Sequence, residues 1–145
     1  RDLHSFPTRR SSDLNAGKAT QLSIFLSVLD VHVNRAPFPA VVERVDYRAG
    51  GFRLAWHNEA SAANEQNLIV LNAPEGRLAV KQIAGFLARR IVCSVVAGQK
   101  LEAGERIGMI RFGSRVDLIV PASAEVYVKP GDRVKGGISV VGAIR

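Results

Sequence analysis

The sequence has one cysteine, one methionine and one tryptophan in 145 residues, and only two histidines beyond residue 14. A single Cys93 excludes an internal disulfide and a cysteine-built zinc site. It lies in the apolar run 91–96 and is expected in the core. No apolar run reaches the length of a membrane-spanning helix. Aromatic residues make up 6% of the chain and do not alternate with the basic ones, which disfavours stacking on single-stranded nucleic acid. Acidic residues are also short, 13 against 20 Lys and Arg, giving a net charge of +7. That excess suits an anionic partner, such as an acidic membrane surface or nucleic acid, and charge alone does not choose between them.

The N-terminal end reads as foreign. Residues 4–14 back-translate, codon by codon, into a common sequencing-adapter primer, and residues 1–3 are expected to be non-native with them. Residues 1–14 hold three Arg and two Asp, so the remainder keeps 17 basic against 11 acidic residues, a net charge of +6. Native sequence is then expected from about Asn15, as one domain over 15–145 from a gene cut upstream, large enough to bury a core.

What the chain does have is strand signal. Short β-branched runs at 40–47, 52–56, 68–71, 77–83, 90–96, 106–110, 116–120, 125–128 and 138–144 are separated by Gly, Pro or Asn. Runs 40–47 and 52–56 read as a hairpin across Gly50-Gly51, and 68–71 and 77–83 flank a turn at 72–76. The spacing predicts a mainly β (α+β) domain of short strands, a β-sandwich or barrel with few short helices, and the glycine rhythm of its C-terminal part resembles that of barrel-sandwich hybrids. Ser27-x-x-Asp30 could cap one short helical turn, stopped by Pro37, and 85–90 fits helix or strand. A weak repeat sets Gly98 and Gly104 against Gly131 and Gly137, each pair bracketing a short strand and followed by another.

Two segments carry candidate chemistry. Phe112-Gly113-Ser114 lies between the apolar runs 106–110 and 116–120. By itself a Gly-Ser pair is a turn. Chemically, a serine hydroxyl can attack the carbonyl of the residue before it, and glycine leaves that carbonyl open. The peptide C–N bond gives way to an ester. β-Elimination then releases Gly113 as a carboxylate and leaves dehydroalanine, which loses ammonia on hydrolysis to become a pyruvoyl group. A base must take the serine's proton, and histidine suits neutral pH. The second segment, Leu29-Asp30-Val31-His32-Val33-Asn34-Arg35-Ala36-Pro37, holds one of those two histidines. The other, His57, follows Trp56 and reads as a loop residue.

Together the two segments resemble the histidine and self-cleavage motifs of the phosphatidylserine decarboxylases, in their short, archaeal-type branch. The likeness runs from about Ser23 to Val141. It implies self-cleavage between Gly113 and Ser114, with 15–113 as one chain and 114–145 as the other, and a pyruvoyl cofactor formed from Ser114. It implies catalytic roles for Ser114, His32 and Gly113. Asn64-Glu65-Gln66-Asn67 is similar to the family's N-E-R-N segment, with Gln66 replacing Arg, so Asn64, Glu65 and Asn67 are expected to bind substrate. Gln82-Ile83-Ala84-Gly85 is similar to a core element beside the active site. No metal is implied.

Two features depart from the family pattern. Arg35 stands where some branches carry a second histidine. No residue after Asn15 matches the aspartate that orients the histidine, and Asp30 is a weak substitute. A fragment without it is expected to fold but to mature slowly or not at all.

The function so implied is decarboxylation of phosphatidylserine to phosphatidylethanolamine, the pyruvoyl carbonyl acting as electron sink. The implied partners are a phospholipid substrate, an anionic membrane surface and the protein's own two cleaved chains, with homo-oligomer formation left open and no nucleic acid. The expected location is the cytoplasmic side of the cell membrane, as a peripheral protein. The rival reading is a non-enzymatic biotinyl- or lipoyl-like carrier or interaction module. It requires a lysine at the tip between the half-repeats, where the chain reads Pro121-Ala122-Ser123-Ala124-Glu125.

Overall fold

The computed structural model describes residues 19–26, 33–50, 64–85, 90–110, 114–134 and 139–144. These form eleven strands and, among the described residues, no helix. Strands β1 (Ala19–Leu26), β3 (Ala40–Arg48), β4 (Gln66–Ala73), β5 (Gly76–Ile83), β7 (Lys100–Leu101) and β9 (Ser114–Pro121) build one six-stranded sheet in the order β1-β9-β5-β4-β3-β7. Strands β2 (Val33–Arg35), β8 (Arg106–Ile110) and β6 (Ile91–Cys93) form a three-stranded sheet, and β10 (Glu125–Val126) pairs with β11 (Gly142–Ala143). Every pairing is antiparallel.

The core lies between the large sheet and the smaller ones. Leu22, Ile69, Leu71, Leu78, Val80, Val116, Leu118 and Val120 project from the large sheet onto Ile107 and Ile110 of β8 and onto Ala36 and Val95. On β5 and β9 these are even-numbered positions, as the two-residue period of a strand requires. The other face of the large sheet is buried too, around Ala19, Ala79 and Ile119. That double burial explains why Leu118-Ile119-Val120 is a continuous apolar run rather than an alternating one. A bulge between Val42 and Arg44 resets the alternation of β3, so that Val42 and Val45 both meet the core.

The mainly β architecture is the expected one. Residues 106–110 form β8 with the expected bounds, and 40–47 become β3. Other bounds differ. Strands β4 and β5 run into the expected 72–76 loop and leave a turn of only Pro74-Glu75, because Asn72 pairs with Arg77 and Ala73 with Gly76. The strand expected over 90–96 shortens to β6. Residues 33–35 are strand rather than a helical run up to Pro37, because Val33 and Asn34 pair with Met109 and Gly108. The expected capped turn at 27–30 and the hairpin partner 52–56 lie outside the described residues. Cys93 is only half-buried at the core's edge, its thiol 3.6 Å from the Val95 carbonyl oxygen. The first half-repeat is present as two turns, with Gly98 and Gly104 at φ of 89° and 80°, and Gly131 repeats the conformation at 92°.

Candidate active site

Ser114 is the first residue of β9 and lies directly across from Leu26, the last residue of β1. It is 1% exposed, and its hydroxyl has no hydrogen-bond partner among the described residues. Buried hydroxyls are ordinarily paired, so an isolated one marks a group kept for another purpose.

The chain's path brings the two motifs together here. Strand β1 ends opposite Ser114, and residues 27–32 join it to β2. Strand β8 pairs with β2, and residues 111–113 join it to β9. Strands β1 and β9 are neighbours in the large sheet, and β2 and β8 are neighbours in the small one. The histidine motif and the Gly-Ser motif therefore occupy the two connections between the same two pairs of strands. His32, Asp30 and Gly113 themselves lie outside the described residues. The described neighbours bracket them, with Leu26 facing Ser114 and Val33 facing Met109.

Residues 64–67 close the same end of the sheet. The β5–β9 ladder stops at Ile83 and Arg115, so Ala84 follows on the β5 side of Ser114. Ala84 is held twice, its N–H donating to the Glu65 carbonyl at 3.0 Å and its carbonyl accepting from Asn64 Nδ2 at 2.7 Å. Gln66 Nε2 donates to the Asn64 carbonyl at 3.2 Å. Asn64 and Asn67 are both buried. Glu65 turns the other way, toward Tyr47. Partial desolvation, and then the Glu65 carboxylate beside it, hold the Tyr47 phenol above its ordinary pKa. Asn67 shares the core face with Ser114 but lies two strands away, across β5.

Sequence reasoning passed over two features at this end. The first is a chain of buried amides. Asn67 Nδ2 donates to Gln82 Oε1 at 3.0 Å, and Gln82 Nε2 donates to Asn34 Oδ1 at 2.8 Å and to the Val92 carbonyl at 3.2 Å. Only Gln82 carried a signal in the sequence, as a polar residue at an inward position of the expected strand 77–83; Asn34 and Asn67 lay outside the expected strands.

The second is a buried ion pair on the far face of β9. Arg115 Nε lies 3.0 Å from Asp117 Oδ1, a contact poorly aligned as a hydrogen bond, and Nη2 donates to Oδ2 at 3.3 Å. The Arg115 guanidinium also stands 5.9 Å from the centre of the Phe25 ring. Burial raises the Asp117 carboxyl above its usual pKa, against the opposing pull of Arg115, the Ser23 hydroxyl and Lys81. Among the described residues, no group of acidic, histidine or cysteine side chains could hold a metal.

Comparison with known proteins gives a consistent result. A family model described as phosphatidylserine decarboxylase matches residues 4–142, a range that begins inside the adapter-like segment. The chain is 48% identical over 129 residues to a phosphatidylserine decarboxylase proenzyme of Salinibacter ruber, covering 88% of this chain and 57% of that protein. It is 49% identical over 129 residues to the proenzyme of Saccharopolyspora erythraea, covering 88% and 55%. It is 47% identical over 127 residues to that of Pelodictyon phaeoclathratiforme, covering 87% and 60%. The chain thus spans little more than half the length of these curated relatives.

Proposed function

The chain belongs to the phosphatidylserine decarboxylase family, and on that premise we propose that the full-length protein is a proenzyme that cuts itself between Gly113 and Ser114 and then decarboxylates phosphatidylserine to phosphatidylethanolamine. The observation that carries this reading is the buried hydroxyl of Ser114, without a hydrogen-bond partner among the described residues, at the start of β9 and across from the end of β1, the strand that leads into the histidine segment. A hydroxyl that no described residue engages can turn onto the carbonyl of Gly113. His32, six residues beyond Leu26, is the base that takes its proton. Asn64 fixes the Ala84 carbonyl and so the wall beside Ser114.

The same residues fit a pyruvoyl group at position 114. The position is screened from water and set at a strand end, where a new chain terminus needs no unfolding of the sheet. When formed, the group supplies a carbonyl sink for the electron pair released as carbon dioxide leaves. The chain's own part is to hold that terminus in register through β1, to exclude water, and to return a proton to the substrate carbon from His32. Asn64 and Glu65 stay as substrate-side candidates, whereas the Asn67 amide is engaged by Gln82.

A phospholipid substrate and a net charge of +7 favour work at an anionic membrane surface, as a peripheral protein on its cytoplasmic side. The described residues contain no helix long and apolar enough to cross a membrane.

Intact-mass measurement of the purified full-length protein tests the proposal. Two chains are expected, one of them beginning at position 114 with a pyruvoyl end. Ser114→Ala should give one uncut chain with no release of carbon dioxide from phosphatidylserine in mixed micelles. His32→Ala should remain largely uncut. Cleavage of Ser114→Ala, or activity from an uncut parent chain, would overturn the assignment.

A further inference from the structure

Gln82 lies on the core face of the large sheet, one residue from the end of β5, on a strand whose other inward positions, Leu78 and Val80, are apolar. It is fully buried, on β5, facing Val116 of β9 on one side and Asn67 of β4 on the other. Val116 is two residues past Ser114, on the same face of the same strand. The Gln82 amide uses both of its N–H groups on the small sheet, on Asn34 of β2 and on the Val92 carbonyl at β6. Its oxygen accepts from Asn67. That third bond sets the polarity of the whole row. With Asn67 donating, Gln82 must present its N–H groups, not its oxygen, to Asn34.

The packing leaves room for this link and nothing more. Gly108 of β8 faces Asn34 and Cys93, and a Cβ there would run into the Val92 carbonyl and Gln82 Nε2. Asn34 follows His32 by two residues in the chain. A buried amide row is costly unless fully satisfied, and this satisfied one ties β5, the sheet neighbour of β9, to β2, the strand that follows the histidine segment.

We propose that Gln82, aligned by Asn67, is a positioning residue for self-cleavage. It grips Asn34 and thereby holds the strand that follows His32 at a fixed distance from the strand that begins with Ser114. The inference rests on the reading of Ser114 as the cleaving serine. It also moves Asn67 from substrate binding to the maturation step.

The test is a time course of self-cleavage of the full-length protein in the absence of lipid, followed by intact mass. Gln82→Met keeps the volume and removes the hydrogen bonds. It should slow cleavage on the order of 10²-fold, the scale set by misplacing a reacting group by about 1 Å. Asn34→Leu should slow it similarly, and the double variant should be no slower than the slower single one. In a His32→Ala background, Gln82→Met should add no further loss. Asn67→Asp removes the donor and lets the Gln82 amide reverse. It should slow cleavage before any substrate is present, while the matured fraction keeps the parent's KM for phosphatidylserine.

Circular dichroism at the assay temperature establishes that each variant is folded. Should Gln82→Met not fold, Asn67→Asp carries the test. Folded variants that cleave at the parent's rate overturn the inference, as does a Gln82→Met loss fully additive with that of His32→Ala. A normal cleavage rate with a raised KM in Asn67→Asp returns that residue to substrate binding and also overturns it. A parent chain that does not cleave, or a Ser114→Ala chain that does, refutes instead the reading of Ser114.

Discussion

Ser114 and Arg115 are consecutive and both nearly fully buried, yet they face opposite sides of one sheet. The serine looks into the core, where no described residue engages its hydroxyl. The arginine looks the other way, onto Asp117 two residues along. An ion pair this deep stabilises little by itself, because desolvation offsets its Coulomb attraction, but removing one partner strands the other. Asp117→Ala in the uncut Ser114→Ala background should therefore cost about 3–5 kcal/mol in urea unfolding. Replacing Arg115 and Asp117 together by apolar residues of similar size should cost clearly less. The pH dependence follows from the raised carboxyl. The folded state holds that proton more tightly than the unfolded chain does. The stability due to Asp117 is thus fully present below its ordinary pKa and is lost as pH rises through its raised folded value. The double variant should lack that loss when unfolding is repeated across acidic to neutral pH.

Among the elements, β8 governs how closely the two sheets approach. Its Gly108 is the point where β2, β6 and the Gln82 side chain converge. Gly108→Ala should destabilise the fold by at least about 1–3 kcal/mol, the usual cost of overpacking, since one of the blocking atoms is backbone that cannot rotate away. Thermal melts of the uncut chain would show it, and an unchanged midpoint would mean that the sheets can separate freely at that point. Strands such as β3 and β8 were legible from their β-branched runs and flanking turns. Strand β1 was not, because it carries Gln21 and Ser23 on a face that looks solvent-bound in sequence. Ser23 is in fact buried, with Asp117 as its cross-strand partner. Strand β2 was mistaken for part of a helical run because three residues are too few to display a period.

At the scale of the whole molecule, a cut before Ser114 would fall at the edge of a ladder rather than inside it. Strand β9 pairs with β1 over all eight of its residues and with β5 over five. The chain that begins at Ser114 would therefore remain bound through hydrogen bonds on both sides of β9 and through core residues on both faces. After cleavage the two chains should co-elute in size-exclusion chromatography under native conditions and separate only in denaturant. Spontaneous loss of the chain that carries β9 at neutral pH would show that the pairing of β9 depends on the intact peptide.

The sequence by itself determined the residue types and their local order. The β-branched runs gave a mainly β domain, and the Gly-Ser pair and the histidine segment named the candidate chemistry, because such motifs are short and contiguous. Strand order, and what each buried polar residue is for, were decided only in three dimensions. Asn34, Asn67 and Gln82 are far apart in the chain, and each alone looks like an exposed or misplaced amide. They become one row only when β2 packs across β5 and β4. The same holds for the two motifs, more than 80 residues apart. Antiparallel pairing of β1 with β9 and of β2 with β8 puts both segments in connections between the same two pairs of strands. Non-local pairing of that kind is fixed by burial of both faces of a sheet, a property of the assembled core that no single segment encodes.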